Sequence, residues 1–207
     1  MRNLCFAYII KYIDIPANKG LIMTKFKLKI SLLSLCLCLV TPLIQAKEVV
    51  STGTPLDPYK HFFNETWGDF KEELENAKQQ GKKGVVIFFE MDECPFCHYM
   101  KKNVLNQQVV QKFYRNNFLI FSVDIEGDLE IVTFNGKTMK QKDFSFKVNR
   151  VRATPVFAFY NLEGKRIFRY TGKTAGVDEF LLMGEFVKNK KYNKTSFTRY
   201  KRQNRTK

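Results

Sequence analysis

Cys94-Pro95-Phe96-Cys97 is the segment of this chain best suited to chemistry. Two thiols at this spacing, at the start of a helix, cycle between dithiol and disulfide without rearranging a fold. A helix N-terminus offers unpaired N–H groups and a partial positive charge. Both favour the thiolate, which is the attacking species. On this reading Cys94 attacks from the helix end. Cys97, one turn further in, resolves the mixed disulfide formed at Cys94. Pro95 suits the first helical turn, where its missing N–H is not needed. Phe96 offers an apolar contact surface.

Three other readings use the same residues. The pair is an inert structural disulfide in the first. In the second it binds zinc, which needs about four ligands; beyond residue 46 only Cys94, Cys97, His61 and His98 offer thiol or imidazole donors, so no metal site is expected. In the third, Cys94 to His98 spells C-x-x-C-H, the attachment motif of c-type haem. The protein is then an electron carrier with His98 as axial ligand and Met100, Met139, Met183 or His61 opposite. The buried strand before the motif and Thr154-Pro155 downstream weigh against haem.

The elements that must position the pair are legible around it. Val85 to Phe89 is a continuous apolar run, β-branched and aromatic, which suits a strand buried on both faces. Phe118 to Asp124 predicts a second such strand. Ahead of them, Phe63, Trp67, Phe70 and Leu74 recur at spacings of three and four, predicting a helix over 62–80 that Gly81 stops. After the pair, Tyr99, Met100 and Val104 continue a helix, with Lys101 and Lys102 facing out. Glu130 to Met139 reads as a hairpin, because Asn135-Gly136 is a strong type I′ turn signal. A short helix over 140–148 follows, then strands over 155–160 and 165–170, and a last helix over 177–187. Strands interleaved with helices imply an α/β sandwich around a mixed sheet.

The ends of the chain read differently. Lys25, Lys27 and Lys29, then uncharged Ile30 to Ile44, then Ala46, have the order of a secretory signal peptide. Its apolar run is shorter than the roughly 20 residues of a comfortable membrane span. Residues 1–22 break that plan and read as a gene-start extension, with 23–46 the signal peptide and 47–61 a lead-in. Cleavage removes Cys5, Cys36 and Cys38 and leaves the single pair, so a disulfide-stapled scaffold is not expected. The net charge of +15 is uneven. Residues 47–187 hold 20 Lys+Arg against 19 Asp+Glu, whereas 188–207 hold 9 Lys+Arg and no acid. The body is nearly neutral, so nucleic acid is not an expected partner. The basic end is expected to be a disordered tail, with anionic lipid surfaces or acidic partners as its other reading.

With Cys94-Pro95-Phe96-Cys97 after a buried strand, Thr154-Pro155 opening a strand pair, and Gly172 before the last helix, residues 62–187 resemble the thioredoxin superfamily. Within it the chain is similar to exported SoxW-type thioredoxins, on the aromatic-rich leading helix, the Cys-Pro-aromatic-Cys site and the Asn-Gly hairpin. The resemblance implies a thioredoxin fold: a central mixed β-sheet flanked by helices, with a small β-hairpin insertion. It implies that Pro155 is cis and lies against the cysteine pair, and that the Thr154 backbone pairs with an extended substrate. Cys94 and Cys97 are then catalytic, and Thr154, Pro155, Pro95 and Phe96 shape the substrate groove. The implied activity is periplasmic thiol–disulfide exchange with exported proteins, as a reductant refilled by a DsbD-like membrane electron donor, by a monomer without bound cofactor. A disulfide-donating oxidant is the alternative within the same fold. Two positions depart from the family. Glu93 stands where many thioredoxins carry Trp, and Phe88 where many carry a buried Asp that moves the inner cysteine's proton. Glu90 shares the strand parity of Phe88 and is the candidate substitute.

Overall fold

The computed structural model describes residues 54–204. The proposed extension, the signal peptide and residues 47–53 lie outside them. Among the described residues no helix is long and apolar enough to cross a membrane.

The fold is a thioredoxin fold built on a four-stranded sheet in the order β2-β1-β5-β6. Strand β1 is Gly84–Glu90, β2 Phe118–Asp124, β5 Val156–Tyr160 and β6 Arg166–Thr171. β1 runs parallel to β2 and antiparallel to β5, and β5 runs antiparallel to β6. All seven residues of β1 are buried, which explains its unbroken apolar run. Its alternate side chains feed two cores. Val86 and Phe88 join Phe157, Phe159, Tyr114 and Phe180 on one face. Val85, Ile87 and Phe89 join Phe70, Leu74 and Phe144 on the other. Burying each such large apolar side chain contributes about 1.5–3 kcal/mol.

Helices cover both faces. The first is the four-residue α1, Pro58–His61; α2 is Phe70–Gln79. The third, α3, Pro95–Met100, continues as a widened π turn over Lys101–Leu105. Then come α4, Gln108–Asn117, and α5, Gln141–Asp143, which also widens into a π turn over Phe144–Val148. The last two are α6, Val177–Lys188, and α7, Phe197–Asn204.

The expected single helix over 62–80 shortens to α2, and the separate α1 ends before it begins. Phe62 and Phe63 follow α1 and are buried, but Trp67 is fully exposed instead of joining the core. Gly68 breaks the path at φ +88°, and its carbonyl accepts a hydrogen bond from Val132 N–H. Asp69 then caps α2 by accepting from the N–H groups of Lys71 and Glu72. A contact with the distant hairpin therefore overrides the local helical period.

That hairpin pairs β3, Glu130–Val132, with β4, Thr138–Lys140. Its turn is not type I′. Only Gly136 takes a positive φ, at +80°, whereas type I′ requires one at Asn135 as well. The loop instead closes from Thr133 N–H to the Lys137 carbonyl, and the Thr133 hydroxyl engages both Asn135 and Lys137.

The basic end is not the expected disordered tail. Phe197 is buried against Phe168, Tyr170 and Phe186, and Tyr200 lies over Phe186. Lys201 donates to Glu179 at 2.7 Å. Composition hid this, because two of the three aromatics among nine cations, Phe197 and Tyr200, are enough to seat one short helix. Phe197→Ala is expected to cost about 3 kcal/mol, read as a lower melting temperature. Burial raises the Glu179 pKa, but bonds from Lys201, the Ala175 N–H and Tyr170 outweigh it and hold it below 4.5. Its contribution is therefore complete above the ordinary value and fades as pH falls through the lowered one. Lys201→Met should flatten that acid limb in melts across pH 3–6.

Candidate active site

The cysteine and Thr-Pro segments lie at one end of the two central strands, β1 and β5. β1 ends at Glu90, and the turn through Asp92 and Glu93 delivers Cys94 as the cap of α3. Val156 lies opposite Phe89, so Thr154-Pro155 enters β5 beside the exit of β1. The Thr154–Pro155 bond is cis. The Pro155 carbonyl accepts from Gly172 N–H at 2.8 Å, which ties the loop after β6 to the same end of the sheet. Thr174, in that loop, is buried and donates to the Met100 sulfur of α3.

Cys94 and Cys97 are joined as a disulfide, with Cα atoms 5.2 Å apart. Both are buried, Cys97 completely. The Cys97 N–H donates to Cys94 Sγ at 3.0 Å. This is the unpaired donor that a helix start offers, aimed at the outer sulfur. It would hold a Cys94 thiolate in the reduced state and lower its basicity. Pro95 is exposed, and Phe96 is 52% exposed although it stands between two buried cysteines. His98 Nε2 lies 2.7 Å from the Asp92 carbonyl. The ring therefore donates to the backbone there and braces the turn that leads into Cys94.

Phe88 is completely buried between Phe63 and Phe157, so no carboxylate occupies that position. Glu90, on the same face of β1, is 8% exposed and enclosed by polar partners. It accepts from Lys101 Nζ at 2.6 Å and from the Ser122 hydroxyl. Tyr59 adds a longer contact at 3.5 Å and itself accepts from Lys101 at 2.6 Å. Burial disfavours the Lys101 ammonium, but its bonds to Glu90 and Tyr59 outweigh that and raise its pKa above 10.5.

Lys101 is thus a correction to the helical reading, which turned it outward beside Lys102. It lies one turn beyond Cys97, and its own N–H donates to the Cys97 carbonyl. The spacing of four from Cys97 was the available signal. A cavity of about 590 Å³ opens beside this cluster, lined by Tyr59, Asp92, His98 and Lys101 among others. Tyr59 carried no sequence signal, because α1 brings it 31 residues to Glu90.

A disulfide at a strand-to-helix junction, with a cis-proline at the head of the neighbouring strand of a four-stranded mixed sheet, defines a thiol:disulfide oxidoreductase of the thioredoxin type. Residues 70–188 match the thioredoxin-like domain family, and the chain belongs to it. Solved structures similar to it include a thioredoxin-fold protein from Helicobacter pylori, at 21% identity over 58% of this chain and 83% of that one, with a TM-score of 0.48. DsbH oxidoreductase is 22% identical over 63% and 88% of the two chains, with a TM-score of 0.47. A thioredoxin from Thermus thermophilus is 23% identical over 61% and 87%, with a TM-score of 0.47. No curated protein matches the sequence.

Proposed function

We propose that this chain is an exported, SoxW-type reductant that opens disulfides in periplasmic proteins. The observation that carries the reading is the Cys94–Cys97 disulfide at the head of α3, at the end of the sheet where cis Thr154-Pro155 enters β5. In the reduced protein the Cys94 thiolate attacks one sulfur of a substrate disulfide and expels the other as a thiolate, which takes a proton from water. Cys97 then loses its proton and attacks Cys94 Sγ. The second substrate thiolate leaves, and the Cys94–Cys97 bond forms. Two electrons pass from the protein dithiol to the substrate.

Thr154, Pro155, Pro95 and Phe96 form the walls of the substrate groove. A membrane electron donor of the DsbD type returns the pair to the dithiol. The leader at 23–46 supports export. The pairing of the two sulfurs with each other, and the engagement of His98 with Asp92, favour this chemistry over haem attachment.

The reduction potential decides the direction. The protein is equilibrated against dithiothreitol or glutathione and its thiols are trapped by alkylation. A value near about −270 mV is expected of a reductant, whereas one near about −120 mV makes it an oxidant.

Glu90 takes the Cys97 proton in this scheme. It is a carboxylate on the buried face of β1, salt-bridged to the lysine one turn beyond Cys97. Glu90→Gln is expected to slow the resolving step by about tenfold or more, within the range of general-base effects. Single-turnover reduction should then show mixed disulfide accumulating near neutral pH, relieved at high pH where Cys97 ionises without help. A rate and pH profile equal to the parent's would remove Glu90 from the mechanism.

A further inference from the structure

Two exposed cations stand near the Cys94 and Thr154 segments, and among the described residues neither has a carboxylate partner. Lys173 follows Gly172, the residue hydrogen-bonded to the Pro155 carbonyl. Its ammonium lies 4.3 Å from the Tyr99 ring centre and 5.9 Å from that of Phe96, beside the residue between the two cysteines. Arg152 stands two positions before Thr154, with its guanidinium carbon 3.8 Å from the centre of the Phe146 ring. Both cations are exposed. Among the described residues neither forms an ion pair. Glu179, at the head of α6 beyond the loop, is already occupied by Lys201, Tyr170 and the Ala175 N–H. A ring face holds a cation in place while leaving its charge available to a second partner. Phe96 and Phe146 are themselves 52% and 49% exposed, so each cation sits on an apolar contact surface.

Two acids stand on the turn out of β1. Asp92 and Glu93 are exposed and also form no ion pair among the described residues. Acidic residues therefore precede Cys94, whereas the cations precede β5 and follow β6.

We propose that Lys173 and Arg152 form a subsite for an aspartate or glutamate side chain beside the reacting disulfide of the substrate. The inference rests on the disulfide-exchange reading and adds substrate selectivity to it. A segment laid along Thr154 passes Arg152, two positions upstream, and near the cysteines it meets Lys173 over Phe96. An acidic residue at either cation gains a charge-assisted bond, whereas a lysine meets a like charge. Substrates are thus sorted by the charge flanking their disulfide.

The test uses the full chain, reduced and freed of reductant, with three peptides. Each carries one disulfide, flanked on both sides by Glu, by Gln or by Lys. Second-order rate constants for peptide reduction are divided by those of the same peptides with dithiothreitol, which removes their intrinsic reactivity. The expected corrected order is Glu over Gln over Lys, with about a tenfold span between the extremes at low salt that shrinks in 0.5 M salt. Lys173→Glu with Arg152→Glu should reverse that order, and the double Gln variant should flatten it. Equal corrected rates for the three peptides overturn the subsite alone, as does a preference unchanged in the double Glu variant. Failure to reduce any peptide that dithiothreitol reduces removes the subsite together with the disulfide-exchange reading.

Discussion

Cys94→Ser is expected to abolish disulfide reduction, with turnover down by at least about a thousandfold, as for other lost nucleophiles. Serine fits the space, and the backbone N–H that Cys94 Sγ accepts from finds the hydroxyl oxygen instead. The fold should survive, and its far-ultraviolet circular dichroism should match the parent's. The partner substitution separates the two roles. With Cys97→Ser the first attack proceeds and nothing resolves it, so a mixed disulfide with the peptide persists and runs as a single adduct on a non-reducing gel. Full turnover in Cys94→Ser would sink the mechanism. Adducts at Cys97 in the Cys94→Ser protein would reverse the assignment, yet Cys97 is completely buried and Cys94 is the sulfur nearer the surface.

The largest stability effect is expected at Gly84, far from the cysteines. Gly84 opens β1 where the chain passes the end of β5. A Cβ there would lie 2.1 Å from the Tyr160 carbonyl oxygen, a backbone atom that its own sheet pairing holds in place. Gly84→Ala must therefore push apart two central strands whose side chains are fully buried. A cost of about 3 kcal/mol or more is expected, at or beyond the upper end for overpacking. For a domain of this size that is a fall in melting temperature of roughly 6–12 °C. Gly81 is the control. It also has a positive φ, but nothing lies within 4 Å of the added methyl. Gly81→Ala should cost only the backbone strain, about 1 kcal/mol. Similar melts for the two variants would show that the Tyr160 contact is not what requires glycine.

The two substitutions divide the protein into parts of different legibility. The cysteine segment announces itself, because a pair of thiols at the head of a helix has few other uses. The glycine before a strand does not, because nothing local says which strand end crosses it. The same division runs through the site. Glu90 was legible as a candidate because strand parity puts it on the face of Phe88. Its partners were not. Ser122 comes from β2, Tyr59 from α1, and Lys101 turns inward only because a carboxylate waits there. Lys173 and Arg152 read as ordinary surface cations until the loops set them over Tyr99, Phe96 and Phe146.

What the sequence determined by itself is whatever rests on local physics. Unbroken β-branched and aromatic runs made β1 and β2 buried strands. Cys-Pro-x-Cys placed a redox pair at a helix start, and Thr154-Pro155 marked where a strand would open; only the family resemblance implied that the two lie together. Tertiary structure decided what depends on residues far apart in the chain. Val132 donates to the Gly68 carbonyl and breaks the leading helix at a point its periodicity would have crossed. Phe168 and Phe186 draw Phe197 down and order a tail whose composition reads as solvated. Spacing and propensity act over a few residues, whereas burial and ion pairing act between whichever groups the fold brings together. The reacting atoms were therefore visible in one dimension, and their surroundings became visible only in three.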